Sequence, residues 1–160
     1  PISPYGCSKA MMEALFLAAN NTRGHYGPAY AVVRYGNVAG SNGSVIPTWR
    51  RMLQQQLSVR GWPTVNVTDP ECTRFWMWQY ESVDLVIKTI STMKGGELAI
   101  PELPAYKLGE LAEAMGATMQ ITGLPEHEKL HEGMRDGLTS DKARRLTVEE
   151  LRSMLAKLPD

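Results

Sequence analysis

Two side chains near the start of the chain have the types and spacing of a proton-transfer pair. Tyr5 and Lys9 are four residues apart, so on a helix they lie on one face, one turn from each other. A lysine ammonium beside a phenol favours the phenolate, and a phenolate can remove the proton of an alcohol. The pair is therefore a candidate general base. On the spacing alone, an exposed tyrosine and lysine at a helix end is the favoured interpretation.

A second motif has the spacing of a zinc site. His127, Glu128 and His131 form the pattern H-E-x-x-H, in which two histidines on one helix face could chelate zinc with the glutamate as base. Pro125 and Gly133 bracket this window too closely for the long helix that such a site needs. A zinc hydrolase is therefore the less favoured interpretation, and no metal ligands are predicted.

The apolar pattern predicts helices that alternate with short strands, which is typical of an α/β protein. Helices are expected over residues 5–21, 47–57, 81–93, 107–115 and 147–158. Strands are expected over residues 29–35, 64–68 and 97–100. Thr147 and Glu150 would form a capping box at the start of the last helix. The first helix is apolar on nearly all sides, so we expect it to be buried on more than one face.

The composition excludes several classes of protein. The 160 residues carry 17 basic and 17 acidic side chains, so the chain lacks the basic surface of a dedicated nucleic-acid binder or a polybasic membrane anchor. Two cysteines do not make a disulfide framework. The longest apolar run, residues 14–19, is much shorter than the ~20 residues of a membrane span. A soluble, cytoplasmic protein is expected.

One expected element of a nucleotide-binding fold is not in this sequence. A doubly wound dinucleotide-binding domain begins with a strand, a glycine-rich phosphate turn and a helix, but no G-x-G-x-x-G or Walker-type loop occurs here. The chain therefore reads as the second half of such a fold.

Several blocks of sequence resemble one family in the same order. They are PYGCSK (residues 4–9), VRYGNV (33–38), GSNGSVIP (40–47), TRFW (73–76) and EKLHE (128–132). Together they resemble the extended short-chain dehydrogenase/reductases, and most closely the inverting UDP-N-acetylglucosamine 4,6-dehydratases and related polysaccharide-biosynthesis proteins. The resemblance implies the C-terminal portion of a Rossmann-like, doubly wound parallel sheet with a small substrate-binding subdomain. Residues 1–40 would end the Rossmann-like domain. Residues 41–160 would be mainly the nucleotide-sugar-binding region, with some segments returning to the sheet.

The resemblance also implies roles for the proton-transfer pair. Tyr5 would take the proton of the sugar 4-hydroxyl while hydride leaves C4 for the nicotinamide. Lys9 would hold the nicotinamide ribose and tune Tyr5. Tyr5, Lys9 and Tyr35 are accordingly the expected cofactor-binding residues.

Five further residues are expected to bind the nucleotide-sugar. Asn37 would donate to a diphosphate oxygen, although an asparagine here also fits an ordinary turn residue. Arg74 is suited to phosphate oxygens, and a purely structural, stacked arginine is the alternative. Val45 and Pro47 would line the uracil pocket, and Glu128 would hold the uridine ribose.

The implied cofactor is NADP or NAD, bound mostly by residues outside this chain. The implied partner is a separate N-terminal half chain that carries the glycine-rich loop, with two such pairs associating through the helix of residues 5–21. The substrate would be UDP-N-acetylglucosamine or a similar UDP-sugar. Dehydratase and 4-epimerase are not distinguished at this point, and a non-catalytic relic or regulatory subunit remains the alternative function.

Overall fold

Five helices are interspersed with eight short strands along the described part of the chain. The structure is a computed structural model that describes residues 1–56, 62–135 and 137–159. Its helices are α1 (Pro4–Ala19), α2 (Val45–Gln56), α3 (Gln79–Thr92), α4 (Leu108–Ala114) and α5 (Val148–Leu155). Its strands are β1 (Val32–Val33), β2 (Thr64–Val67), β3 (Thr73–Phe75), β4 (Leu98–Ala99), β5 (Ala105–Lys107), β6 (Thr118–Ile121), β7 (Gly133–Arg135) and β8 (Leu138–Thr139).

The predicted helices are confirmed to within a few residues at each end. Helix α2 begins at Val45 rather than Pro47, because the fixed φ of a proline is compatible with the first turn of a helix. The end predicted for this helix, Leu57, lies outside the described residues. The strand predicted over 29–35 is only two residues long, as β1.

Backbone contacts divide the chain into two packing units. The first unit contains Pro1–Tyr35 and Tyr80–Glu102, and the second contains Gly36–Gln79 and the described residues from Leu103 onward. The chain thus changes unit after Tyr35, and the later segment Tyr80–Glu102 packs with the first unit. The predicted domain division at residue 40 stays a prediction.

The first unit is built around a short parallel strand pair. Strand β1 pairs with β4 in the register Val32 to Leu98. The amide of Asn20 accepts from the backbone N–H of Tyr30 at 3.0 Å and donates to the Tyr30 carbonyl at 2.9 Å. This double contact fastens the end of α1 to the segment that leads into β1.

Helix α1 begins at a well-formed cap but buries none of its residues. Ser3 Oγ accepts from the backbone N–H of Gly6 at 3.1 Å, and Pro4 occupies the first helical position, where its missing N–H costs nothing. The predicted burial on more than one face is wrong for this chain, in which Met11 and Leu15 are each 64% exposed. The reason is that α1 packs beside β1 on one side, while its other apolar side chains have no covering element among the described residues of its unit. Among the described residues, no helix is both long and apolar enough to cross a bilayer.

The second unit contains the main hydrophobic core. Strands β2 and β6 pair in parallel, whereas β3 with β5 and β7 with β8 pair antiparallel. The core side chains come from α2, β2, α4, α5 and the segments around β3 and β5, and the largest fully buried ones include Trp76, Leu111, Leu146 and Leu151. The sequence pattern missed β3, β5, β6, β7 and β8, because these strands are only two to four residues long. Strands β3, β5 and β6 also depend on partners distant in sequence.

Helix α5 begins at the predicted capping box, which is confirmed. Thr147 Oγ1 accepts from the Glu150 backbone N–H at 3.2 Å, and the Glu150 carboxylate accepts from the Thr147 N–H at 2.8 Å. We expect Thr147→Ala to lower the free energy of unfolding by about 1 kcal/mol, the usual effect of losing such a cap. Urea unfolding followed by circular dichroism measures this change.

The matched control is Ser153→Ala, an exposed position within the same helix. Alanine there removes no cap and should leave stability unchanged or slightly higher. Equal stability of Thr147→Ala and the wild type would contradict the assignment of the cap.

Candidate active site

The proton-transfer pair lies on one face of α1, as its spacing predicts. Lys9 Nζ is 5.2 Å from the centroid of the Tyr5 ring, which is within the range of a cation–π contact. Tyr5 is 72% exposed, so its hydroxyl is accessible. Tyr35, which follows β1 in the same unit, is also exposed. The catalytic role of Tyr5 and Lys9 and the cofactor-binding role of Tyr35 stay predictions.

An apolar groove runs along α1 beside this pair. It has a volume of about 350 Å³ and is lined by Ser8, Met11, Met12, Leu15, Phe16, Ala19 and Tyr30. The rings of Phe16 and Tyr30 are 5.9 Å apart at their centroids. The catalytic candidate Tyr5 therefore belongs to a helix whose apolar side is open to an additional covering segment.

In the second unit, the guanidinium of Arg74 lies within a set of protein acceptors. Arg74 is only 9% exposed. Its Nη1 donates to the Thr73 carbonyl at 2.8 Å and to the Leu130 carbonyl at 3.2 Å. Its Nη2 donates to Glu128 Oε1 at 2.8 Å, and its Nε lies 3.6 Å from Glu132 Oε1. Two of the residues expected at the nucleotide-sugar site, Arg74 and Glu128, are thus paired with each other.

The Glu132 carboxylate connects a third expected residue to this arginine. With the Asn37 amide oriented so that its nitrogen faces the carboxylate, Asn37 Nδ2 donates to Oε1 and Oε2 of Glu132, each at 3.0 Å. The backbone N–H of Phe75 donates to Oε2 at 3.2 Å. We call Asn37, Arg74, Glu128 and Glu132 the Glu132 network. Asn37 itself is exposed, so one end of the network is accessible.

Burial and these contacts shift the pKa of Glu132 in opposite directions. Burial is the largest effect and raises the pKa of its carboxyl above the ordinary 4.5, while Arg74, the Phe75 N–H and the Asn37 amide counteract the rise. Tyr106, opposite Arg74 in the β3–β5 pairing, also has a raised pKa, because its hydroxyl is buried and Glu132 is near. Tyr106 therefore stays neutral beside the network.

The backbone at Gly36 passes close to Phe75 of β3 and places Asn37 beside Glu132. A Cβ on Gly36 would lie 2.6 Å from the Cβ of Phe75 and 2.9 Å from Cε of Met134, which is too close for any side chain. The Met77 N–H then donates to the Asn37 carbonyl at 3.1 Å. The glycine of the predicted substrate loop therefore lets that loop lie directly against the end of β3.

The H-E-x-x-H window does not form the helix that a zinc site of this kind requires. Residues 127–131 are in turns and an isolated bridge. Glu128 pairs with Arg74, and His131 Nδ1 contacts Thr73 Oγ1 at 2.9 Å. Among the described residues, no three or more His, Cys, Asp or Glu side chains are grouped so that they could hold a metal ion.

The buried hydroxyl of Ser140 connects the backbone of Glu132 to Thr73 of β3. Ser140 Oγ accepts from the Glu132 N–H at 2.8 Å, and the Ser140 N–H donates to the Glu132 carbonyl at 2.8 Å. Ser140 Oγ also contacts Thr73 Oγ1 and donates to the Thr73 carbonyl at 3.1 Å. Ser140 is fully buried, so this connection between β3 and residue 132 is shielded from water.

The remaining candidates lie at the start of α2. Val45 packs against the core of the second unit, and Pro47 occupies the first turn of the helix, half-buried. Their predicted contact with uracil stays a prediction. Sequence reasoning missed Glu132 as a functional candidate, although it stands four residues after Glu128 in the EKLHE block.

Comparison with known proteins agrees with the sequence resemblance. Residues 1–153 match the family described as polysaccharide biosynthesis protein. The chain belongs to this family. It is 38% identical over 136 residues to a UDP-N-acetylglucosamine 4,6-dehydratase (inverting) of Campylobacter jejuni, a match that covers 84% of this chain and 39% of the relative. It is 36% identical over 115 residues to a UDP-glucose 4-epimerase of Rickettsia felis, covering 72% of this chain and 32% of that protein.

Solved structures confirm the predicted fold class. The structure of Pen from Bacillus thuringiensis matches this polysaccharide biosynthesis family member with a TM-score of 0.87 at 26% identity, over 99% of this chain and 58% of that one. A dTDP-glucose 4,6-dehydratase from Bacillus anthracis, in complex with NAD, matches with a TM-score of 0.61 at 16% identity, over 99% and 47%. The chain thus has the fold of a portion of a Rossmann-type dehydratase, and it spans about two fifths of the curated dehydratase it matches.

The raised pKa of Glu132 predicts a specific pH dependence of stability. The folded protein takes up this proton at a higher pH than the unfolded chain, whose glutamate titrates near 4.5. The stability associated with this proton is therefore present below pH 4.5 and is lost as pH rises through the folded-state pKa. Glu132→Gln removes this titration. Between pH 4.5 and neutrality, the free energy of unfolding of the variant should therefore fall less steeply, or rise more, than that of the wild type.

Chemical denaturation of wild type and variant across this range measures the two slopes. The matched control is Glu71→Gln, which removes a more exposed carboxylate that pairs with Lys107 in the same unit. Parallel pH profiles for the wild type and Glu132→Gln would contradict the assigned shift.

Proposed function

We propose that this chain is the C-terminal, substrate-binding portion of a nucleotide-sugar 4,6-dehydratase that acts on UDP-N-acetylglucosamine or a similar UDP-sugar. The observation that carries the proposal is the contact between Tyr5 and Lys9 on the exposed face of α1. Family membership and 38% identity to a UDP-N-acetylglucosamine 4,6-dehydratase support the choice of reaction. An epimerase is the nearest different outcome, since a UDP-glucose 4-epimerase is 36% identical.

In this proposal Tyr5 moves a proton at the sugar 4-hydroxyl. Its accessible phenol would accept that proton as C4 is oxidised, and the Lys9 ammonium would stabilise the phenolate. A bound NADP or NAD would supply the hydride acceptor. The exposed side chains of Tyr5, Lys9 and Tyr35 fit a role in holding the nicotinamide end of such a cofactor, while most of its binding residues would lie outside this chain.

The nucleotide-sugar would be held by the second unit. The network that joins Asn37, Arg74 and Glu128 supports this assignment, since these three residues were expected at the diphosphate and ribose. Val45 and Pro47 at the start of α2 would contact the uracil.

The exposed apolar face of α1 supports a further part of the proposal. Burying a Met, Leu or Phe side chain is worth about 1.5–3 kcal/mol, so a helix with several such side chains exposed gains from a cover. We propose that the cofactor-binding half, on a separate chain, provides that cover, and that two such pairs associate through α1. The assembly would act in the cytoplasm.

A non-catalytic role is the second candidate, and one observation favours it. The guanidinium of Arg74 already contacts two carbonyls and two carboxylates of the protein, which leaves little of it for a diphosphate. A relic or regulatory subunit would bind a UDP-sugar or a partner without turnover.

Tyr5→Phe tests the catalytic proposal directly. Phenylalanine retains the ring and the contact with Lys9 but cannot carry the proton, so turnover in the assembled enzyme should fall by about 10²–10⁴. Affinity for the UDP-sugar should remain, because the hydroxyl acts on the reacting proton. Steady-state rates and titration calorimetry measure the two quantities.

The matched control is Tyr26→Phe, which alters a 97% exposed tyrosine outside α1 and should leave turnover unchanged. Equal turnover of Tyr5→Phe and wild type would rule out the base. Binding of the UDP-sugar without turnover by the assembled wild type would favour the regulatory subunit.

The proposed cover of α1 predicts how the chain behaves in solution. Expressed alone, it should self-associate and bind no nicotinamide cofactor, and co-expression with the cofactor-binding half should give a stoichiometric complex that contains cofactor. Replacing Met11 and Leu15 by glutamate should suppress both associations, because charges would then occupy the groove. Light scattering after size-exclusion chromatography measures the assemblies.

Met119→Glu is the control, since it places the same charge at an exposed apolar position of the second unit. It should leave both associations intact. A stable monomer that has full dehydratase activity by itself would overturn the proposed partner.

A further inference from the structure

The small parallel sheet of the second unit has an open edge. Among the described residues β6 pairs with β2 alone, and all four residues of β6 are exposed. The N–H groups of Thr118 and Thr122 donate to carbonyls on the β2 side at 2.8 and 2.9 Å. Because backbone groups alternate in direction along a strand, the N–H and carbonyl groups of Met119 and Ile121 point away from β2, to the open edge.

We propose that this edge is an interface between two copies of the chain, in which β6 pairs antiparallel with β6 of a second copy about a two-fold axis at Gln120. The two sheets would then form one continuous sheet. This interface is separate from the associations proposed for α1, and it does not depend on the proposed enzymatic function.

The two edges of the sheet differ in their contacts. At the outer edge of β2, the Gln56 amide accepts from the Thr64 N–H at 2.7 Å and donates to the Thr64 carbonyl at 2.8 Å. The Trp49 indole N–H donates to the Asn66 carbonyl at 3.2 Å. Side chains of α2 thus occupy that edge. The outward backbone groups of β6 have no such partner in the described part of the chain, so the sheet is closed on one side and open on the other.

The open edge also lacks the features that keep an edge strand unpaired. Proteins protect such edges with a charged side chain, a proline or a bulge. Residues 118–122, with the sequence TMQIT, contain no charge and no proline, and the pairing of β6 with β2 is regular. Met119 is 40% exposed and Ile121 is 55% exposed. An unprotected edge with exposed apolar side chains is a template for another strand.

The order of residues in this strand indicates that the added strand is a second copy of itself. Read from either end, residues 118–122 give threonine, an apolar residue, glutamine, an apolar residue and threonine. With Gln120 opposite Gln120 of the second copy, Met119 lies opposite Ile121 of that copy. These are the residues whose backbone groups point outward, so they would exchange both N–H···O=C bonds. The edge is therefore self-complementary, as a two-fold interface requires.

The side chains match across the same axis. Met119 and Ile121 lie beside the buried valines of β2, on the face turned to the core, so the pairing would continue this apolar face from one copy to the other. Gln120 lies on the opposite face, in a non-hydrogen-bonded pair, where facing side chains approach most closely. Its amide has both donors and an acceptor and can bond its counterpart. No charge in residues 118–122 meets its like.

The test uses a background chain that carries Met11→Glu and Leu15→Glu, so that association through α1 is suppressed and a remaining dimer forms at another surface. Sedimentation velocity at increasing protein concentration should show a monomer–dimer equilibrium. The dimer should require high concentration, because strands this short make a contact smaller than a standard interface. Gln120→Lys in this background should weaken the dimer at least about tenfold, since like charges would face each other at the axis.

Mixing two variants shows whether residue 120 meets its own copy. Gln120→Glu alone should weaken the dimer as Gln120→Lys does. An equimolar mixture of the two should recover the dimer, because opposite charges then face each other. The matched control is Gln54→Lys, which makes the same change at an exposed position of α2 and should leave the dimer unchanged.

Two further variants act on the edge itself. Ile121→Pro removes an N–H that points outward and none that bonds to β2, and proline is tolerated at such positions of an edge strand. It should abolish the dimer. Met119→Glu, which leaves the α1 associations intact, should weaken this dimer as well. Circular dichroism and thermal unfolding of each variant verify that it is folded under the conditions of sedimentation.

Several results would overturn this interface, and none of them depends on turnover. A background chain that stays monomeric at the highest concentration reached would exclude the pairing. An unchanged dimer in Gln120→Lys would place the contact elsewhere, and a mixture that does not recover would exclude the axis at Gln120. With α1 unsubstituted, a loss of the complex with the cofactor-binding half in Ile121→Pro would assign the edge to that half instead of a second copy.

Discussion

One guanidinium, that of Arg74, is held under the surface of the second unit, and its acceptors come from β3 and from the segment 128–132. A charge removed from water is strongly destabilising unless it is paired and hydrogen-bonded. Arg74 meets this requirement with the carbonyls of Thr73 and Leu130 and with the carboxylates of Glu128 and Glu132. The planar fork of an arginine can satisfy several acceptors in different directions, which a lysine ammonium cannot do in the same way. The segment 128–132 runs along β3 with one carbonyl and two carboxylates directed at this guanidinium, and the Thr73 N–H donates to the Leu130 carbonyl beside it.

The chemistry of the site follows from that constraint. Since segment 128–132 lies along β3, Glu132 is within reach of the loop that begins at Gly36. Its carboxylate binds the amide of Asn37. Two carboxylates face one guanidinium, so the network carries an excess of negative charge when both are ionised. Burial raises the pKa of Glu132 and thereby opposes that excess. An anionic ligand approaching Asn37 would act in the same direction, because a negative charge nearby favours the protonated carboxyl.

The sequence predicted the local features of this fold and missed those that depend on distant contacts. The start of α1 at Pro4 and the capping box at Thr147 follow from residues within one helical turn, so the sequence contains the whole signal. Strand β3 is three residues long, includes an arginine, and exists because β5 pairs with it. The ion pair of Arg74 with Glu128 joins residues 54 positions apart. Periodicity in the sequence does not indicate such a pairing. Asn37, Arg74 and Glu128 were expected from the family resemblance, which does not indicate that Glu132 contacts Asn37 and Arg74.

In helix α1 the proposed catalytic requirement and a packing requirement fall on the same element. A proton-transfer pair needs a rigid backbone, which is why Tyr5 and Lys9 one turn apart on a capped helix are well suited to it. The isolated helix has little stability of its own, since most of the stability of helices in proteins comes from packing of an apolar face. Here Met11, Met12, Leu15 and Phe16 remain about half exposed, so covering them would contribute on the order of 4 kcal/mol at the usual value for buried side chains. That is a large part of the 5–15 kcal/mol by which a domain is stable. The order of the helix that carries Tyr5 is thus coupled to whatever surface covers its apolar side, and the proposed proton-transfer pair would be most firmly held when that surface is in place.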